Sequence, residues 1–116
     1  MSITLVSNAV AKRGFVVNGS TSDMSGCETL VSGVSGKNIY VERIVVSFGA
    51  AISVSIGEGE SSGGVDTVLI GPLYGSANST IEIVFGRPIK LSTATDLTAD
   101  ASGSGNITVI AHGYIE

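Results

Sequence analysis

The sequence predicts an all-β sandwich, and three observations predict it. Short runs rich in Val, Ile and Thr recur along the chain, each closed by Gly, Pro, Asn or Asp. No window carries the 3.6-residue periodicity of an amphipathic helix. Two runs, Ile52-Ser53-Val54-Ser55-Ile56 and Ile81-Glu82-Ile83-Val84-Phe85, alternate in the manner of a strand with one face on a core.

Taken in order, the first strand is expected at Ile3–Val6, where Ile3, Leu5 and Val6 supply apolar and β-branched side chains. Gly14–Val17 follows and is closed by the turn former Asn18-Gly19. Glu28–Val31 ends at the Gly33 to Gly36 stretch. Asn38–Phe48 is the longest apolar run, and Ile52–Ile56 directs its Ile and Val inward and its serines outward. The run from Gly57 to Gly64 reads as a glycine- and acid-rich loop. Asp66–Ile70 ends at Gly71-Pro72, and Ser76-Ala77-Asn78 turns into Thr80–Phe85, whose inner row is Ile81, Ile83 and Phe85. Beyond Gly86-Arg87-Pro88 lie Ile89–Leu91 and Asp96–Ala101. Ser102-Gly103-Ser104-Gly105 is a turn, and Asn106–Ile115 closes the chain.

The runs Ile39–Phe48 and Ile107–Ile115 are apolar at positions of both parities. A strand with one solvated face should alternate. Either both faces are covered, the second by another subunit, or a β-bulge shifts the phase partway along the long run. About eight to ten short strands in 116 residues suit a single-domain jelly roll or related Greek-key sandwich. An immunoglobulin-like sandwich is the runner-up, but the chain has no Trp and no cysteine pair to support it. Residues 1–19 are read as an N-terminal arm and residues 20–116 as the sandwich domain.

Charged residues make up 14% of the chain, against about 25% in an average protein. Six basic and ten acidic side chains must then cover the whole exterior. A surface so poor in charge is accounted for if copies of the chain cover part of it, and a homotrimer is the expectation. A net charge of −4 argues against nucleic-acid binding, where Lys and Arg neutralise phosphates. Lys12-Arg13 is the one adjacent basic pair. No run of about 18 apolar residues would span a membrane, and Met1 to Val10 lacks the basic start and apolar stretch of a secretory signal. Cys27 is the sole cysteine, so no intrachain disulfide forms; it is expected to be a small buried or half-buried thiol.

The chain is not expected to be an enzyme. His112 is the only histidine, and no Gly-x-Ser-x-Gly elbow supplies it with a nucleophile. It is expected on the outer face of the last strand, beside Thr108, Ile110 and Tyr114. One His and one Cys do not make a zinc site. Glu58, Glu60 and Asp66 lack the dense spacing of a calcium loop and read as a solvated hairpin tip. The glycine-rich stretches match no phosphate-binding fingerprint, so no cofactor is expected. Sequons at Asn18, Asn78 and Asn106 read as incidental in a Ser/Thr-rich chain. Tyr40, Tyr74 and Tyr114 are the rings that could serve a sugar, though sandwich-edge or interface tyrosines are commoner.

Several strand-and-turn patterns carry a resemblance. They are Gly36-Lys37-Asn38-Ile39-Tyr40-Val41-Glu42-Arg43-Ile44, Leu69-Ile70-Gly71-Pro72-Leu73-Tyr74, Pro88-Ile89-Lys90-Leu91, Asp96-Leu97-Thr98, and Asn106-Ile107-Thr108-Val109 through Gly113-Tyr114. Over about two thirds of its length, from Lys37 onward, the chain resembles small jelly-roll virion proteins of tailed bacteriophages. The resemblance implies a trimeric capsid decoration or cement subunit, assembled in the host cytoplasm and seated on the major capsid protein. Head-fibre, spike or tail-adaptor roles are the alternatives within the virion, and a lectin-like carbohydrate-binding module is the alternative outside it. The residues expected at the oligomer or capsid interface are Ile3, Leu5, Lys12, Arg13, Ile110, His112 and Tyr114.

Overall fold

The computed structural model describes residues 4–7, 14–23, 26–61 and 63–116. Among the described residues nine strands follow one another: β1 (Thr4–Ser7), β2 (Gly14–Asp23), β3 (Glu28–Val31), β4 (Ile39–Phe48), β5 (Ile52–Ser61), β6 (Gly64–Gly75), β7 (Ser79–Lys90), β8 (Leu97–Ala101) and β9 (Ser104–Ile115). They form two antiparallel sheets, one in the order β1-β2-β9-β4-β7 and the other in the order β3-β8-β5-β6. From β2 onward every connection passes from one sheet to the other, except the β5–β6 hairpin. Two four-stranded layers wound in this order are a jelly roll, with β1 added at the outer edge of β2.

The layers close on one apolar core. Ile39, Val41, Ile44, Val46, Val109 and Ala111 line it from the five-stranded sheet, and Val54, Ile56, Leu97 and Ala99 from the four-stranded sheet; none is more than 1% exposed. Ile81, Ile83 and Phe85 form the inner row expected of them, half-buried because β7 lies at a sheet edge.

The two runs with apolar residues of both parities resolve differently. In β4 the register against both β7 and β9 shifts between Val41 and Arg43. Glu42 is the extra residue of a bulge, so Ile39 and Val41 before it and Ile44, Val46 and Phe48 after it all face the core. β9 keeps strict alternation from Ile107 to Gly113, with Ile107, Val109, Ala111 and Gly113 inward and Thr108, Ile110 and His112 outward. Its outward row stays partly apolar. Opposite the bulge stands Gly113: a Cβ there would lie 1.9 Å from the Tyr40 carbonyl oxygen and 3.1 Å from the Phe15 ring. The bulge drives the β4 backbone into the space that a side chain would occupy.

Several expected turns are strand. Asn18-Gly19 does not end β2, because Asn18 pairs with Ile110 and Gly19 with Val109 along a ladder to β9 that holds register from Gly14 to Thr21. The stretch from Gly57 to Gly64 is mostly hairpin, with register shifts around Ile56 that let both strands bend and continue. Gly57 permits this, since a Cβ would lie 2.0 Å from the Thr67 carbonyl. Thr80–Phe85 and Ile89–Leu91 belong to one strand interrupted by a bulge at Phe85-Gly86-Arg87-Pro88, and Leu91 lies just past its end, buried and donating its N–H to the Ile39 carbonyl at 2.9 Å. The boundary at residues 19 and 20 falls inside β2, which joins the sheet from Gly14.

Candidate interaction surface

The outer face of the five-stranded sheet is built by register. Across β2, β9, β4 and β7 its rows read Ser20–Thr108–Ser47–Thr80, then Asn18–Ile110–Val45–Glu82, then Val16–His112–Arg43–Val84, then Gly14–Tyr114–Tyr40–Lys90. The first row is a ladder of hydroxyls, joined by Ser20 Oγ to Thr108 Oγ1 and Ser47 Oγ to Thr80 Oγ1, both at 3.1 Å. The middle rows carry Ile110, Val45, Val16 and Val84, the last 68% exposed. In the fourth row Tyr40 and Tyr114 stack with ring centroids 4.8 Å apart and planes 12° from parallel. Lys90 Nζ lies 6.0 Å from the Tyr40 centroid. Arg43 Nε donates to Glu82 Oε2 at 2.6 Å, so these two charges offset each other within the face.

Of the residues expected at an interface, Ile110, His112 and Tyr114 stand together here on the outward row of β9, with Thr108 beside them. Leu5 lies in β1 opposite Gly19, so the strand around it pairs with β2 of its own chain. Ile3, Lys12 and Arg13 lie outside the described residues. Sequence reasoning did not assemble Val16, Val45, Arg43, Glu82 and Val84 on this face: the inner row Ile81, Ile83 and Phe85 already turns Glu82 and Val84 outward, the bulge at Glu42 sets the parity of Arg43 and Val45, and pairing decides which strands become neighbours.

The outer side of the four-stranded sheet is polar along its central strands and carries the exposed Val68 and Tyr74 on its edge strand β6. Ser55 and Asp100 pair across β5 and β8, and Gly57 and Thr98 beside them. Cys27 packs near them, half-buried, its N–H donating to the Gly63 carbonyl at 3.2 Å. Burial raises the Cys27 thiol pKa, a hydrogen bond with Thr98 lowers it, and the charges of Glu60, Asp100 and Glu28 add to the rise. The thiol is held protonated, the state of a structural cysteine. The Asp100 carboxyl is raised by desolvation, against a hydrogen bond from the Ala101 backbone. Its Oδ1 is shut off from solvent without a partner.

The acids of the β5–β6 hairpin are dispersed into structural roles. The Glu58 carboxylate accepts from Ser92 N at 2.6 Å and Ser92 Oγ at 3.0 Å, while Asp66 accepts from the Ser61 hydroxyl. Among the described residues no three His, Cys, Asp or Glu side chains converge as a metal site would need.

Among the described residues, two of the clefts bear on binding. A cavity of about 280 Å³ lies between the layers, lined by Phe15, Val17, Leu30, Val31 and Ile115. A shallower one of about 350 Å³ is lined by Ile52, Ser53, Tyr74 and Ser102, and Tyr74 is 76% exposed at its rim. Compared with known proteins, the chain matches no family model and no curated sequence.

Proposed function

We propose that the chain is a virion structural protein of a tailed phage, a decoration or cement subunit that acts as a homotrimer on the major capsid protein at the capsid surface. The observation that carries this reading is the jelly-roll strand order, the fold that the sequence resemblance implies. An outer sheet face poor in charge and bearing two stacked tyrosines supports it, because such a face suits contact with protein. The mechanism is mechanical. A shell under internal pressure fails at junctions between capsomers, and a rigid sandwich spanning a junction adds buried surface there. Head-fibre, spike and tail-adaptor roles use the same surfaces at other sites on the particle.

The test is to purify particles produced from the genome that encodes this chain and to locate the protein by fractionation and electron microscopy. Stoichiometric recovery with DNA-filled heads is expected. Recovery with tails alone moves it to the adaptor role, and absence from all particles overturns the reading.

A lectin-like module is the second reading, and Tyr74 beside the Ser53–Ser102 cleft favours it. The Tyr40–Tyr114 pair does not, since each ring spends one face on the other. Binding on a glycan array that is lost in Tyr74→Ala would establish it.

A further inference from the structure

We infer that the outer face of β2-β9-β4-β7 is the surface on which a second copy of this chain seats. The inference rests on the proposed homotrimer and names one of the two surfaces by which each copy meets its neighbours, since a closed trimer joins unlike patches. Three observations carry it.

The first is the contrast between the two outer faces. The five-stranded sheet presents Val16, Val45, Val84, Ile110, Tyr40 and Tyr114 in three consecutive rows. The central strands of the other sheet turn Ser55 and Asp100 outward, and the exposed apolar side chains of that sheet, Val68 and Tyr74, are confined to its edge strand β6. Depletion of charge around apolar and aromatic side chains, with polar groups at the rim, is the composition of an interface centre. Here the hydroxyl row lies at one end, Lys90 at a corner, and the Arg43–Glu82 pair at the β7 side.

The second is charge. The chain carries a net −4, so two copies repel over most of their surfaces. On this face Arg43 and Glu82 cancel, and Lys90 is set against Glu42 in the bulge beside Arg43. It is a face through which like chains can approach.

The third is size. Strands of 10 to 12 residues build the face. Four strands at about 4.8 Å spacing, with a rise of about 3.3 Å per residue, make it about 20 Å by about 35 Å, or roughly 700 Å² before side-chain relief. A standard interface takes about 800 Å² from each partner. One neighbour covers the whole face.

The experiment is sedimentation equilibrium of the full chain over a dilution series, with Val84→Asp, Ile110→Glu and, on the other sheet, Val68→Asp. Val84 and Val68 are 68% and 45% exposed, so both Asp variants are expected to fold, as circular dichroism will verify. The parent is expected to be oligomeric, Val68→Asp to match it, and Val84→Asp and Ile110→Glu to dissociate at least tenfold more readily. An oligomer that Val84→Asp leaves intact overturns the inference and leaves the virion reading standing. A monomeric parent overturns both the inference and the trimer. Variants that dissociate as expected, from a protein that no particle carries, uphold the inference and sink the virion reading.

Discussion

At Gly113 a single hydrogen atom keeps two strands together. The bulge at Glu42 brings the Tyr40 carbonyl so close that any Cβ would lie 1.9 Å from it. The obstacle is backbone on one side and the Phe15 ring on the other, so neither can turn aside. Gly113→Ala is expected to destabilise by about 3 kcal/mol or more, a fall in melting temperature on the order of 10–20 °C for a domain of this size. Gly86→Ala is the control, since a Cβ there meets nothing within 4 Å, and thermal melts of the two compare them directly. Asp100 presents the opposite case, a group whose replacement should help. Desolvation raises its carboxyl in the folded state, so the native protein holds that proton more tightly than the unfolded chain does. Stability from this group is therefore full at low pH and is lost as pH rises through the raised value. Asp100→Asn keeps the shape and removes the charge. It should melt higher than the parent at pH 7, by less than about 1 kcal/mol because the carboxyl is only partly withdrawn from solvent. The advantage should close as pH falls below about 3.9, the ordinary value for Asp. A pH series of paired melts checks both the sign and the window.

At the scale of the strand, what the sequence disclosed depended on whether local chemistry or pairing decided the outcome. β3 was legible to the residue, Glu28 to Val31, because its apolar core position and flanking glycines are local signals. The end of β2 was not, because Asn18-Gly19 has strong turn chemistry and is overruled by a ladder to β9, distant in the chain. Both prolines of the chain lie in β6 and β7, the edge strands on one side of the sandwich, and each sits at a register break. Pro72 and Pro88 each remove a backbone donor there, which blunts the edges against pairing with another chain. Association through the sheet face fits these blunted edges better than association edge to edge. The Arg43–Glu82 bridge between β4 and β7 was also hidden, since the pairing follows from the bulge. Its side chains are 42% and 50% exposed, so it is worth about 0.2–1 kcal/mol. A double-mutant cycle with Arg43→Ala and Glu82→Ala should return a coupling in that range, shrinking in 1 M salt as screening requires. A coupling of several kcal/mol would show that the pair is buried against something else.

For the whole molecule, the sandwich was legible because period-2 patterning and turn residues report on a core, and the outward row of β9 followed from the same parity. The facing members of the surface were not, since they depend on which strands become neighbours. The remaining question at this scale is what the first residues contribute. β1 adds to the edge of β2, while the described core side chains begin at Phe15 and the jelly-roll layers are complete from β2 to β9. Deleting residues 1–13 therefore removes one edge strand and leaves both layers closed. The truncated chain is expected to fold, with a melting temperature lower by a few degrees, from the loss of one four-residue ladder. Its sheet face is unchanged, so its sedimentation mass should match that of the parent. If the proposed capsid role holds, attachment to capsids should weaken, because the deletion removes the sole adjacent basic pair, Lys12-Arg13, from an otherwise acidic chain, and a strand able to pair with a neighbour's sheet. Melting, sedimentation and capsid co-sedimentation of the one variant separate the alternatives. Loss of folding would make β1 an integral part of its own domain. Loss of assembly alone would make it an arm exchanged between copies, and the sheet face would then not suffice to hold them. Loss of capsid binding alone would divide the labour, with the face joining copies and the arm joining them to the shell.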